Sequence, residues 1–215
     1  MRPERRPTAR SKSAQDKRRL ILDAAVRVFA RQGFHACRVS DIADEAGVAY
    51  GLVYHYFDSK DEVLDTLFLE RWNVMLDLIR AVDAEPKPVR EKLGAIAAFI
   101  VESYRHDPDV MKVIIVEVTR AANSFGATHI GTIREAYDLI AGMIAKAQAE
   151  GVFNADIEAR FAAMAFYGTI EQLLTGWIFE LLPTGEEYFE RAKWLVVEIV
   201  CGGLEVGAVG EPSVG

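Results

Sequence analysis

Ser40-Asp41-Ile42-Ala43-Asp44-Glu45-Ala46-Gly47-Val48-Ala49-Tyr50-Gly51-Leu52-Val53-Tyr54-His55-Tyr56-Phe57 reads as two short helices joined by a tight turn. Ile42 and Ala46 lie four apart and share one face of the first helix. Gly47 supplies the positive-φ backbone that a sharp turn needs, and Val48 with Val53 buries the second helix against the first. Ala43 is small enough for the helix crossing. The second helix then presents Tyr50, Gly51, Tyr54 and His55, hydrogen-bonding or small groups with no acidic member. Such a face suits a DNA major groove, where residues near the helix N-terminus reach base edges and flanking groups hold phosphates. Lys60 and the amides after it join a cation to a helix dipole, the makings of a phosphate clamp. The same short motif also fits a structural hairpin with surface tyrosines.

Charge is unevenly divided. The 215 residues carry net −7, yet residues 1–60 hold 12 Lys/Arg against 7 Asp/Glu, and residues 61–215 hold 13 against 25. A basic module on an acidic body approaches polyanions by one end only, although a basic tail on an unrelated protein gives the same arithmetic. With 51% hydrophobic residues the chain can bury a sizeable core. Cys37 and Cys201 stand apart among apolar neighbours and read as core residues in a reducing compartment. No uncharged apolar run reaches about 18 residues, and the arginine-rich start lacks a signal-peptide core, so a cytoplasmic location is expected.

Residues 1–16 combine Arg, Pro and Ser without apolar periodicity and read as a disordered basic arm. From Lys17, the residues Leu20, Ile21, Ala24, Ala25, Val28 and Phe29 keep the spacing of an amphipathic helix that Gly33 ends. A long helix follows from Lys60 to about Val82 and stops before Pro86-Lys87-Pro88. Further helices are predicted at 89–106, 108–121, 127–150, 156–181 and 186–206, and no segment alternates with period two. The fold class is therefore all-α, with a helix-turn-helix domain over 17–62, a helical ligand-binding and dimerisation domain over 63–208, and a disordered tail over 209–215. The last two helices are apolar over more than one core-facing stripe, which implies a partner. Phe166, Ile170, Leu173, Trp177, Trp194 and Val197 are the candidate contacts between two copies.

Gly33-Phe34, Ile42 through Val48, and Val53-Tyr54-His55-Tyr56-Phe57-Asp58-Ser59-Lys60-Asp61-Glu62-Val63-Leu64 resemble the N-terminal signature of the tetracycline-repressor (TetR) family. Arg38-Val39-Ser40 departs from it, standing where many members place a threonine pair, which leaves the cap of the first motif helix open. The resemblance implies a two-domain helical fold, a homodimer on the last two long helices, and repression relieved by a ligand. It places Tyr50 and Gly51 at the bases and Tyr54, Tyr56 and Lys60 at the DNA backbone. With Ser40 and His55 these are the candidate DNA contacts, on a palindromic operator.

Phe166-Tyr167-Gly168-Thr169-Ile170-Glu171, with Trp177 six further on, is similar to the fatty-acid-degradation regulators of that family, as is Val48 through Tyr54. That likeness implies long-chain acyl-CoA as effector. An acyl chain needs an apolar tunnel, for which Met75, Ile79, Ile96, Phe99, Ile100, Val113, Val116 and Ile140 are candidates, and a CoA head needs cations, for which Arg120 and Arg134 are candidates. Trp72, Tyr104, Glu117, Tyr137 and Glu171 suit another effector, a drug or aromatic compound, and Tyr167 is a further candidate ligand residue. The same stripes also read simply as core. No catalytic chemistry is expected: His35, His55, His106 and His129 lack metal-ligand spacing, and Gly202-Gly203-Leu204-Glu205-Val206-Gly207 lacks the context of a dinucleotide site. No cofactor follows from the sequence. A helical adaptor without DNA affinity is the remaining alternative.

Overall fold

The computed structural model describes residues 9–117 and 127–205. Its elements are α1 (Ala9–Gln32), α2 (Val39–Ala46), α3 (Tyr50–Tyr56), α4 (Lys60–Ala84), α5 (Val89–His106), α6 (Pro108–Lys112) running into a π-helical turn (Val113–Glu117), α7 (Ala127–Ala149), α8 (Ala159–Ile178) and α9 (Glu186–Leu204). Among the described residues there is no strand, only an isolated bridge between Phe153 and Glu205. The all-helical expectation holds. The expected tail over 209–215, Arg120 and the end of the helix predicted over 108–121 lie outside the described residues.

Two compact units are present. The first holds the chain up to Phe68 with Lys112–Glu117, and the second holds Leu69–Met111 and the described residues from Ala127. In the first unit α1 packs on α2 and α2 on α3, and Ile21, Ala25, Val28 and Phe29 of α1, Ile42 and Ala43 of α2 and Val53 of α3 are all buried. Of the arm expected over 1–16, residues 9–16 belong to α1, which begins at Ala9, and residues 1–8 lie outside the described residues. Ser13 through Asp16 contain neither Gly nor Pro, and adding turns to a helix already packed after Lys17 costs propagation, not nucleation.

In the second unit α5 packs on α8 and α9, and α7 packs on α8. Ion pairs lace α5 to α9: Arg90 with Glu198 and Glu205, Lys193 with Glu102, and Arg105 with Glu186. The helix α8 is shorter than the predicted 156–181. At its start Asn154 Oδ1 accepts the Asp156 amide (2.9 Å) and Gln148 donates to the Ile157 carbonyl (2.6 Å), which holds 154–157 as a turn. At its end Glu180 takes φ 57°, and the amides of Leu181 and Leu182 return to the Gly176 carbonyl at 2.7 and 3.1 Å. A Cβ on Gly176 would stand 2.6 Å from Leu182 Cδ1, so a larger residue there would push the Leu182 side chain aside.

The expected dimer contacts are corrected by burial. Phe166 and Ile170 are fully buried and Trp177 is 3% exposed. Trp177 stacks on Tyr104 and meets Phe189 edge-on. These three are core residues of their own protomer. The sequence counted apolar residues without knowing which stripe of α8 the core takes. Trp194 is exposed, Leu173 and Val197 are half-buried, and Phe161, Met164 and Ile199 are exposed beside them in sequence.

Candidate nucleic-acid face and effector seat

Asp41, in the first turn of α2, accepts the amide hydrogen of Arg38 at 2.7 Å, so a carboxylate supports that helix start in place of a hydroxyl cap. Gly47 takes φ 65°, and the Val48 amide reaches back to the Ala43 carbonyl at 3.0 Å, closing α2 and launching α3. Glu45 accepts from Arg27 (2.7 Å) and Arg31 (3.1 Å), pinning α2 to α1. The Arg27 bond foremost, then that of Arg31, holds its carboxyl below the usual carboxylate range. Glu45, an acid within the motif, is thus already engaged by cations.

The face of α3 stands as expected, with Tyr50 53% and Tyr54 44% exposed and with Gly51 and His55 exposed. Tyr56 is half-buried, as is Ser40 in the first turn of α2. The Tyr50 and Tyr54 rings meet edge to face at 5.1 Å, and the Tyr50 hydroxyl donates to that of Tyr54 at 3.2 Å. This bond raises the Tyr54 phenol above its ordinary range. A Cβ on Gly51 would meet nothing within 4 Å, so packing within the chain does not demand glycine there.

Lys60 departs from the open clamp. Its ammonium donates to the Phe34 carbonyl (2.5 Å) and the Cys37 carbonyl (2.8 Å) and lies 4.5 Å from the centroid of the Phe34 ring. Two of its three N–H groups are spent on the segment between α1 and α2. The start of α4 also has its own caps, with Ser59 Oγ accepting the Glu62 amide (3.1 Å) and the Glu62 carboxylate accepting that of Asp58. Lys60 is therefore a strut between α4 and that segment.

In the second unit, α4, α5, α7 and α8 enclose an apolar seat. Met75 and Ile79, Ile96 and Ile100, and Ile140 form its walls, and Trp72, Tyr137 and Tyr167 its aromatic end. The space left is about 10 Å³, room for one water. Ring centroids stand 5.9 Å apart for Trp72–Tyr167 and 5.7 Å for Tyr137–Tyr167. Arg160, paired with Asp138, lies over Tyr137. One turn beyond Tyr167, Glu171 is half-buried, and burial pushes its carboxyl up. Burial first, and then the charge of Glu171, raises both the Tyr137 and Tyr167 phenols.

Of the expected ligand residues the fold brings together Trp72, Met75, Ile79, Tyr137 and Tyr167, with Glu171 adjacent. It does not bring in the others. Phe99 is half-buried outside the lining, Tyr104 belongs to the Trp177 cluster, Val116 stands on the π-helical turn of the first unit, and Arg134 is exposed. Sequence reasoning missed Lys92, which is 7% exposed and donates to the Asp83 carbonyl at 2.6 Å. The signal was its register, four residues before Ile96 on the buried stripe of α5. Cys37 and Cys201 are both buried thiols, and burial pushes the Cys201 thiol up to about 11. Among the described residues no cluster fit for a metal occurs, and no helix is long and apolar enough to cross a membrane.

A helix-turn-helix unit with an exposed, acid-free second helix, in one chain with an all-helical body, defines a DNA-binding regulator. Residues 21–67 match the family model of bacterial regulatory proteins of the tetR family, and residues 68–183 match that of the C-terminal region of YsiA-like proteins. The chain belongs to the TetR family and is a transcriptional repressor of that type, not an enzyme. It is similar to the fatty acid metabolism regulator protein of Bacillus subtilis, 29% identical over 78% of this chain and 86% of the relative. The solved fatty acid degradation regulator FadR of Bacillus halodurans superposes with TM-score 0.79 at 26% identity, covering 93% of this chain and 98% of that one. FadR of Bacillus subtilis, solved in complex with stearoyl-CoA, shares the fold with TM-score 0.73 at 24% identity over 87% and 99%.

Proposed function

We propose that the protein acts in the cytoplasm as a homodimer on a palindromic operator and is released from it by a long-chain acyl-CoA. The carrying observation is the seat among α4, α5, α7 and α8, whose walls are aliphatic and whose one end offers Tyr137, Tyr167 and Glu171. The names of the relatives, one a regulator of fatty acid metabolism, favour an acyl chain over other apolar ligands. Exposed Trp194, Phe161 and Met164 supply apolar surface for a second copy. Tyr50, Gly51, Tyr54 and His55 read the bases and adjoining backbone, with Ser40 and Tyr56 as flanking contacts.

A seat of about 10 Å³ admits a chain only if the helices part. Ligand entry then moves α4 and alters the separation of the two recognition helices, which must match half-sites about one DNA turn, or a multiple of it, apart. Titrating palmitoyl-CoA into the operator complex and following gel mobility tests this. Release at micromolar ligand is expected, and an unaltered complex at saturation refutes the effector. The aromatic trio Trp72, Tyr137 and Tyr167 favours a second reading, a planar aromatic effector, which the same titration with aromatic compounds decides.

A further inference from the structure

A second cavity lies one helical turn from the apolar seat. One helical turn beyond Ile79 on α4, Ile96 on α5 and Ile140 on α7 stand Asp83, Lys92 and Met143, and these line a second cavity of about 210 Å³ at the α4–α5 turn. Its chemistry differs from that of the seat. Met143, Ala147 and Val152 face it, but so do Glu85, Lys87, Lys146 and Glu150. At the level where the walls change, the Lys92 side chain is 8% exposed, its Nζ donating to the Asp83 carbonyl at 2.6 Å and lying 3.5 Å from Asp83 Oδ1. A buried ammonium resists losing its partners. It forms a polar bar fastened between the aliphatic seat and the charged cavity.

We propose that Lys92, held by Asp83, is the floor of the effector seat and sets the longest apolar chain the protein accepts. This rests on the acyl reading above. The direction of the chain follows from which polar groups are free to serve it. Among the described residues no hydrogen bond or ion pair engages Glu171 or the Tyr137 and Tyr167 hydroxyls, so the head of the ligand belongs at that end. The Lys92 ammonium is already satisfied, so the chain terminus meets it without gain. From Trp72 to Asp83 α4 rises about 16 Å, which is the depth the floor defines. Each methylene buried above it multiplies affinity roughly fourfold. A longer chain must pull Lys92 from Asp83 or lie among charges.

The test is calorimetric binding of saturated acyl-CoA esters of stepwise increasing length to the full chain, in wild type and in Lys92→Met, Lys92→Ala and Lys92→Arg, each checked for native helicity. In wild type, affinity climbs and then stops at a limiting length. Met and Ala remove the bar and move the limit to longer chains, and esters just beyond the wild-type limit gain roughly tenfold. Arg keeps charge and partner and leaves the limit in place. A limit unmoved in the folded Met and Ala variants, or an equal shift in affinity at every length, overturns the floor while leaving the acyl reading intact. Failure of every ester to bind wild type overturns that reading, and the floor with it.

Discussion

Replacing Lys60 by methionine removes three interactions while keeping most of the stem. The ammonium loses the Phe34 and Cys37 carbonyls, at 2.5 and 2.8 Å, and the face of the Phe34 ring at 4.5 Å. Hydrogen bonds to a charged group contribute about 1.5–3 kcal/mol each, and partial burial argues for the lower end. The ring contact adds about 0.5–1 kcal/mol, and freeing a long side chain returns a similar amount of entropy. The net loss is about 3 kcal/mol, which lowers the melting temperature of a chain this size by about 6–12 °C. Melting followed by circular dichroism gives the first readout and the salt dependence of operator binding the second. A strut leaves the salt slope of the folded variant unchanged, whereas loss of a phosphate contact lowers it by about 0.9. An unchanged melting temperature with a slope lower by about one refutes the strut and restores the clamp.

Gly51→Ala removes backbone freedom at a site with open space around its missing Cβ, so stability rises by about 0.5–1 kcal/mol while operator affinity falls at least tenfold; unchanged affinity in a gel-shift titration refutes close approach of DNA there. Trp194→Glu shifts the dimer to monomer in light scattering without altering helicity, whereas Phe166→Ala costs about 3–5 kcal/mol of stability through a core cavity; a Trp194→Glu protein that stays dimeric refutes the assigned face. Glu171 has a raised folded pKa, so its contribution to stability is full below the unfolded carboxylate value and is lost as pH rises through the folded value. Glu171→Gln is accordingly more stable than wild type at neutral pH, with the difference vanishing in mild acid; equal urea midpoints at both pH values sink the assignment.

The helix-turn-helix was legible because its signals are local: Gly47 for the turn, Val53 for the crossing, and a run of acid-free exposed positions on α3. The seat was legible in part. Met75, Ile79, Tyr137 and Tyr167 line it, as the stripes of their helices suggest, but periodicity says which face is apolar and not which neighbour it meets. Tyr104 therefore passed for a ligand residue although it fills a cluster with Trp177 and Phe189. Lys60 and Lys92 failed for a shared reason. Lys60 reads as a phosphate clamp and Lys92 draws no reading, and both find their partners in carbonyls of neighbouring segments, which side-chain patterns do not encode; only the register of Lys92 on α5 points to its burial.

The closed seat and the strut bear on how binding becomes release. A ligand shifts a conformational equilibrium only by its preference for one state, and moving from 1:99 to 99:1 needs roughly a 10⁴-fold preference. At roughly fourfold per buried methylene that is about seven methylenes of surface used to hold the helices apart. On the proposed acyl reading, a short chain in the same seat lacks that surplus and should leave the operator occupied. The wall residues Trp72, Met75 and Ile79 lie on the same helix that begins at Lys60. Lys60, within the first unit, grips the Phe34 and Cys37 carbonyls before α2. On the proposed reading, weakening that grip by Lys60→Met raises the ligand concentration needed for release, and release at the wild-type concentration in a gel-mobility titration refutes a part for the lysine in the switch.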